Sequence, residues 1–149
     1  MRKSEARPLF EVNVSKEMPN DLDSVFKEAL KARDHAYAPY SKFYVGAALK
    51  LKNGTIIKGH NIENASFGAT VCAERVAIFK GISDYKKEDF EYMVLVTDSD
   101  PLAFPCGMCL QVLSEFCSKE FPIFVGNLKM IKEEKTLGEL FPNSFELDH

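Results

Sequence analysis

The chain has 149 residues and a formal net charge of −3, and 46% of its residues are hydrophobic while 28% are charged, which predicts one globular domain. The acidic balance argues against a nucleic-acid surface, because phosphate binding needs clustered Lys and Arg. No segment approaches the roughly 18 apolar residues of a membrane span, and residues 1–20 lack a signal-peptide stretch, so we expect no membrane partner and a cytoplasmic location.

The predicted elements alternate between helical and extended patterns. Residues 1–20 show no clear period and are predicted to form an extension before a folded domain of residues 21–149. Apolar residues at three- and four-residue spacing indicate helices there, and short apolar runs beside turn residues indicate strands, so an α/β domain of layers around one mixed sheet is expected. In chain order we predict a helix capped by Asp21 and ended by Pro39, strands over 43–51 and 55–58 joined by Asn53-Gly54, a helix over 72–80 ended by Gly81, a strand over 92–97, a helix over 106–116, a strand over 123–125 and a short helix over 137–141.

Three cysteines and one glutamate carry the clearest chemical signal. Cys106 and Cys109 are three residues apart, a spacing that places both on one face of a helix, and Cys72 begins another predicted helix. Three thiolates leave one position of a tetrahedral zinc free for water. Glu74 is not needed as a ligand and reaches that water only if Cys72 stands at the very start of its helix; otherwise it merely complements the helix dipole. The combination is typical of zinc-dependent nucleobase deaminases.

Other interpretations of the cysteines stay open at this point. They could be buried core thiols, Cys106 and Cys109 could form a redox pair, or a structural metal could take His60 as its fourth ligand. Cys117 lies eight residues beyond Cys109 on the same predicted helix, about 12 Å away at ~1.5 Å per residue. We therefore expect Cys117 to be an ordinary buried thiol outside any metal site.

Further motifs give the chain a resemblance to a known family, the small zinc-dependent cytidine deaminases of nucleoside salvage. The resemblance covers roughly residues 21–147, and its motifs keep the family's order and spacing. These motifs are residues 40–43, 45–48, 61–66, 72–75, 105–107 with 111–113, and 137–142 followed by Phe145.

The resemblance implies a three-layer α/β/α sandwich and a homotetramer whose active sites are shared between subunits. It implies hydrolytic deamination of cytidine and deoxycytidine to uridine and deoxyuridine by a zinc-activated water, in pyrimidine salvage. The implied roles are one Zn²⁺ per chain on Cys72, Cys106 and Cys109, Glu74 as proton shuttle, Phe43 and a neighbour's Phe145 against the pyrimidine, Asn61 and Glu63 on the ribose hydroxyls, the Ala73 backbone at the base edge, and Arg75 tempering the thiolate charge.

One position departs from the family pattern. Leu110 follows the last cysteine, where the family usually has Arg. With Arg75 as the only cation of the motif, we hypothesise a less electrophilic zinc; alternatively, Leu110 packs into a subunit contact and changes nothing.

Several rival functions are also compatible with a zinc site of this kind. They are deamination of another aminated heterocycle, such as a nucleotide or blasticidin S, a zinc-stabilised binding protein without catalysis, and a polynucleotide editor. Glu63 argues against a nucleotide phosphate, and the intact Glu74 argues against a loss of catalysis. The acidic balance argues against the editor.

Overall fold

A computed structural model describes residues 18–149. The first 17 residues of the predicted extension lie outside the described part. The elements are α1 (Leu22–Arg33), β1 (Val45–Leu51), β2 (Ile56–His60), a 3₁₀ turn (Phe67–Ala69), α2 (Ala73–Asp84), a 3₁₀ turn (Lys87–Asp89), β3 (Phe90–Thr97), α3 (Gly107–Phe116), β4 (Pro122–Gly126), β5 (Ile131–Thr136) and α4 (Leu137–Leu140).

The five strands form one mixed sheet in the order β2-β1-β3-β4-β5. β1 pairs antiparallel with both β2 and β3, β3 pairs parallel with β4, and β4 pairs antiparallel with β5. It follows that β2, β3 and β4 point the same way and end at the same edge of the sheet. Helices α2 and α3 each begin in the segment after one of these strands, so both helix starts lie at that edge.

Helices cover both faces of the sheet. Along β3, Met93 and Leu95 point to one face, where they pack with apolar residues of α2 and α3. Tyr92, Val94 and Val96 point to the other face, where they pack with the apolar side of α1. This period-of-two alternation places a core on each side of the sheet. The α/β/α layering is therefore confirmed, and none of the helices in residues 18–149 is long and apolar enough to cross a membrane.

Three details of the predicted elements are wrong. α1 ends at Arg33, so Pro39 does not end it. Gly81 does not end α2, which runs on to Asp84. A Cβ at Gly81 would lie 2.9 Å from Leu49 Cδ2 and 3.0 Å from Phe90 Cζ, so the glycine allows the helix to approach the sheet closely. Strand β5 was not predicted at all, because Ile131 is the only buried residue in an otherwise charged and partly exposed strand.

Asp21 precedes α1 but makes no side-chain capping bond. Its carboxylate instead accepts a hydrogen bond from Tyr92 Oη at 2.7 Å and pairs with Lys50 Nζ at 2.5 Å. Lys50 also contacts Glu91 at 3.1 Å. Burial works against ionisation of Asp21, yet the bonds to Lys50 and Tyr92 lower the pKa of this carboxyl. The predicted cap thus ties α1 to the middle of the sheet.

Candidate active site

The three predicted cysteine ligands meet at the sheet edge where α2 and α3 begin. Cys72 and Cys106 are the N-cap residues of α2 and α3, both with extended backbone, and Cys109 lies in the first turn of α3. The three Sγ atoms lie within 4.8 Å of one another, and those of Cys106 and Cys109 are 3.4 Å apart. Neither His60 nor Cys117 belongs to this group in residues 18–149, so the predicted exclusion of Cys117 is confirmed.

The cysteine group has the composition and size of a zinc site. Two sulfurs that are each ~2.3 Å from a tetrahedral zinc lie about 3.8 Å apart, a distance between the 3.4 Å of Cys106 and Cys109 and the 4.8 Å that bounds all three. Three thiolates without a fourth protein donor among the described residues are the ligand set of a site with an open position. Cys72, Cys106 and Cys109 therefore fit Zn²⁺, and the open position suits catalysis better than a purely structural role.

The thiol protons are distributed unevenly within the group. A hydrogen bond from Cys109 is the main reason that the pKa of Cys72 falls to about 5, and Arg75 adds to this effect although burial opposes it. The same hydrogen bond and burial raise the pKa of Cys109. The pKa values of Cys72 and Cys109 are thus shifted in opposite directions, and metal binding must release any proton that the group retains. In contrast, burial alone raises the pKa of Cys117 to about 12.

Arg75 supplies positive charge beside the first ligand. Its Nη2 donates to Cys72 Sγ at 3.6 Å and to Thr70 O at 3.4 Å. Burial opposes the charged form, yet bonds to Cys72 and Cys109 raise the pKa of Arg75, so it is a permanent cation there. Leu110 is only 8% exposed and belongs to the apolar core between the sheet and its helices. The position where the family usually has a second arginine therefore contributes packing instead of charge.

Glu74 is buried in the first turn of α2. Because Cys72 is the N-cap, Glu74 is the second residue of the helix, which meets the condition for reaching the metal group. Glu74 is only 4% exposed, and this burial raises its pKa to about 7. The negative charge of Cys72 adds to the rise, whereas hydrogen bonds with the backbone and with Cys109 oppose it. A carboxyl with this pKa can both accept and release a proton near neutral pH. Ala73, just before it, is fully buried.

Asn61 holds the chain segment that enters β1. Its side chain is 8% exposed. Oδ1 accepts a hydrogen bond from the Val45 N–H at 3.0 Å, and Nδ2 donates to the Phe43 carbonyl at 2.7 Å. Phe43 as a whole is 41% exposed, while its backbone is fixed in this way. The amide of Asn61 thus binds the protein's own backbone and retains one proton and one lone pair for a ligand.

Glu63 binds the turn before β1 through Tyr40 and Ser41. Its Oε1 accepts from the N–H groups of Tyr40 and Ser41 at 2.9 and 3.1 Å, and its Oε2 accepts from the Ser41 hydroxyl. The Ser41 hydroxyl bond is the largest reason that the pKa of Glu63 is lowered. A cleft of about 380 Å³ opens beside these groups. It is lined by Tyr40, Ser41, Glu63, Asn64, Phe67 and Thr70.

A pair of backbone hydrogen bonds joins these loop residues to the metal group. Ile62, between Asn61 and Glu63, donates to the Val71 carbonyl at 2.9 Å and accepts from the Val71 N–H at 3.0 Å. Val71 is the residue before Cys72. These backbone bonds therefore fix the position of the loop with Asn61 and Glu63 relative to Cys72.

Two contacts of the site were not predicted from the sequence. Gln111 on α3 donates from Nε2 to the Phe145 carbonyl at 3.0 Å, which holds the C-terminal tail against that helix. Phe145 as a whole is 66% exposed in the single chain. The bonds of Ser41 to Glu63 were also missed, although Ser41 and Gln111 both lie within motifs that carry the family resemblance. Neither residue type by itself signals a partner that is distant in sequence.

Comparisons with known proteins agree with this geometry. Residues 19–125 match the family model for the cytidine and deoxycytidylate deaminase zinc-binding region. A cytidine deaminase of Sporosarcina psychrophila is 46% identical over 125 residues, which span 84% of this chain and 91% of that protein. A blasticidin-S deaminase of Bacillus cereus is 36% identical over 110 residues, 68% of this chain and 76% of the relative.

A solved structure has the same fold as this chain. The crystal structure of cytidine deaminase from Burkholderia pseudomallei superposes with a TM-score of 0.79 at 35% identity, covering 86% of this chain and all of that one. The family model matches most of the chain and includes all three cysteines and Glu74. The chain therefore belongs to the cytidine and deoxycytidylate deaminase family of zinc-binding proteins.

Proposed function

We propose that this protein catalyses the hydrolytic deamination of cytidine and deoxycytidine to uridine and deoxyuridine, a reaction of pyrimidine salvage. The observation that carries the proposal is a buried glutamate, Glu74, in the first helical turn beside three clustered cysteines. This arrangement provides a metal with an open position and a proton carrier next to it. The relatives named cytidine deaminase support the choice of substrate.

Zinc on Cys72, Cys106 and Cys109 would lower the pKa of a water molecule and so supply a nucleophile near neutral pH. Glu74 takes one proton from the attacking water and delivers it to the ring nitrogen, and it then takes the second proton from the hydroxyl newly bonded to the ring carbon and delivers it to the leaving amino group. A carbon–oxygen bond forms at the ring carbon that carries the amine, and the carbon–nitrogen bond breaks, so one water is consumed and one ammonia is released. Arg75 balances part of the thiolate charge.

The remaining residues of the proposed site bind the substrate. We propose that Asn61 and Glu63 bind the ribose hydroxyls with the donor and acceptor capacity that their backbone contacts leave free. Phe43 packs against the pyrimidine, and the Ala73 backbone meets the edge of the base. A deaminase-like catalytic domain over residues 21–149 holds all of these groups.

The exposed Phe145 ring supports a shared site. In the single chain this aromatic ring is largely in contact with solvent, although Gln111 fixes its backbone. We propose that Phe145 completes the pocket of a neighbouring subunit in a homotetramer. Thiol ligands need reducing conditions, which supports a cytoplasmic location.

A spectrophotometric assay with cytidine and deoxycytidine tests the function, together with zinc content per chain. Glu74→Gln should lower turnover by roughly 10²–10⁴-fold, because general acid–base catalysis is lost. The variant should still bind one zinc per chain, because Glu74 is not a ligand. Glu120→Gln, at an exposed glutamate on the surface, should match the wild type. Turnover of Glu74→Gln within a few-fold of wild type would contradict the mechanism.

The blasticidin-S deaminase among the relatives supports a second candidate substrate. The same assay with blasticidin S separates the two possibilities. A higher kcat/KM for blasticidin S than for cytidine would favour this antibiotic, whereas the acceptor groups of Asn61 and Glu63 favour a substrate with ribose hydroxyls.

A further inference from the structure

The turn between α1 and β1 is organised by one serine hydroxyl. Ser41 Oγ donates to Glu63 Oε2 and accepts from the Phe43 N–H at 3.0 Å. A hydroxyl has one proton and two lone pairs, so the two bonds do not compete. A single oxygen therefore connects the carboxylate proposed for the ribose to the backbone of the aromatic residue proposed for the base.

The backbone of this turn needs such a tether. Lys42, between Ser41 and Phe43, has a φ of 57°, and no other non-glycine residue in the described part has a positive φ. A side chain in this left-handed region costs roughly 1–2 kcal/mol, so contacts must hold the conformation in place. The Lys42 N–H donates to the Ala38 carbonyl at 3.0 Å. The Tyr40 and Ser41 N–H groups donate to Glu63, and the Ser41 hydroxyl bonds both the Phe43 N–H and Glu63.

Phe43 is fixed at both ends of its backbone by different residues. Asn61 Nδ2 binds the carbonyl, and Ser41 Oγ binds the N–H. The Asn61 bond lies on the buried side, where the residue is 8% exposed, whereas Ser41 is exposed at the cleft. Loss of the Ser41 hydroxyl would leave the Phe43 carbonyl bond and the two backbone bonds to Glu63 Oε1 intact. It would release the Phe43 N–H and Glu63 Oε2 together, so the carboxylate could rotate about its remaining bonds.

We propose that Ser41 is a positioning residue that orients Glu63 and Phe43 toward the substrate as one unit. This inference rests on the proposed function, because it takes Glu63 as the contact to the ribose hydroxyls. Ser41 acts on groups that bind the substrate and not on the groups that move protons. Its removal therefore weakens binding of substrate and transition state to the same extent, which raises KM and leaves kcat nearly unchanged.

Steady-state deamination of cytidine tests this role with a matched set of serine variants. Ser41→Ala should raise KM by about tenfold with kcat within about twofold, because Glu63 Oε2 and the Phe43 N–H lose the anchor that orients them toward the substrate. Ser41→Thr, which keeps the hydroxyl, should restore KM. Ser24→Ala removes another exposed hydroxyl, one that donates to the Asp21 carbonyl at 2.8 Å, and should match the wild type.

A double-mutant cycle separates positioning from a general effect on the fold. If Ser41 acts largely through Glu63, Ser41→Ala in a Glu63→Gln background should raise KM by less than about threefold. A full tenfold rise in that background, or a fall in kcat with KM unchanged, would overturn the proposed role.

Amide hydrogen exchange of Phe43 gives a readout that does not depend on activity. The Phe43 N–H should exchange about tenfold faster in Ser41→Ala than in the wild type or Ser24→Ala, because its acceptor is gone. Equal exchange rates in all three proteins would overturn the inference. A wild-type chain without activity on cytidine would overturn the proposed function instead, and the exchange rates would still decide whether Ser41 holds the turn.

Discussion

The two halves of the candidate site are held in place by different means. The metal side, which comprises Cys72, Glu74, Cys106 and Cys109, lies on the first turns of two helices packed against the sheet. The loop side, which comprises Ser41, Phe43, Asn61 and Glu63, lies on irregular segments joined by side-chain-to-backbone hydrogen bonds. Helical packing places the groups proposed to react, whereas local polar bonds place the groups proposed to bind the substrate.

The same amino acid has opposite properties on the two sides. Burial raises the pKa of Glu74 to about 7, whereas hydrogen bonds, the one from Ser41 above all, lower the pKa of Glu63. Glu74 can therefore carry a proton at neutral pH, and Glu63 stays ionised as a hydrogen-bond acceptor. Environment, and not residue type, shifts the pKa values of these two carboxyl groups in opposite directions, which suits the different roles proposed for them.

The largest expected effect comes from removing a ligand on the metal side. Cys106→Ala should lose most of the bound zinc and nearly all deaminase activity, because two thiolates do not retain the metal. Cys106 is exposed, so its removal leaves the core unchanged. Zinc analysis and turnover are the measurements, and Cys117→Ala, at the cysteine outside the group, is the control that should keep both. Full zinc content in Cys106→Ala would remove this residue from the ligand set.

A smaller effect is expected from the buried residue of the loop side. Asn61→Ala should lower the free energy of unfolding by about 2 kcal/mol, since two hydrogen bonds of ~1 kcal/mol each are lost. It should also raise KM for cytidine while zinc content stays unchanged. Urea denaturation, kinetics and metal analysis measure the three quantities.

Asn53→Ala serves as the control for this change. Asn53 Oδ1 accepts a local bond from the Thr55 N–H in the β1–β2 hairpin at 2.9 Å, away from the site. Its substitution should leave KM unchanged. Zinc loss in Asn61→Ala would show that the two sides are less independent than their geometry indicates.

The smallest effect should come from the opposite face of the sheet, which belongs to neither side. Asp21→Asn removes the partner of Lys50 and should lower the free energy of unfolding by about 1 kcal/mol at pH 7, since Asp21 is partly exposed and its pair is screened by solvent. Kinetic constants should not change. Urea denaturation and the cytidine assay are the measurements.

The pH dependence of this stability loss gives a second readout. The pKa of Asp21 is lowered in the folded chain, so its contribution is complete above the unfolded value of 3.8 and is lost as the pH falls through the folded pKa. The difference between wild type and Asp21→Asn should therefore shrink at pH 3. A difference that stays constant from pH 7 to pH 3 would argue against a charge effect, and Asp148→Asn in the tail provides the baseline.

Much of the fold could be predicted because local pattern and tertiary structure agree. The apolar spacing from Leu22 to Leu30 predicted α1, and its apolar side is the one that packs on the sheet. β5 escaped prediction because its charged residues gain their strand conformation from pairing with β4. Asp21 and Gly81 have local preferences for a helix cap and a helix end, but long-range contacts with Lys50 and Phe90 decide their roles.

The metal side was more predictable than the loop side for a related reason. Cys106 and Cys109 are neighbours on one helix, so their spacing in sequence already fixes their spacing in space. Ser41 and Glu63 are 22 residues apart, and the bond between them exists only after two loops have been brought together. A serine in a polar turn gives no sign of such a partner.

The backbone pairing of Ile62 with Val71 has a consequence for how the family can diversify. Main-chain hydrogen bonds do not depend on which side chains stand at the paired positions. Substitutions at residues 62 and 71 that keep the backbone N–H should therefore leave the distance between the loop side and Cys72 unchanged. Selection for a new substrate can then reshape the pocket wall without rebuilding the catalytic centre.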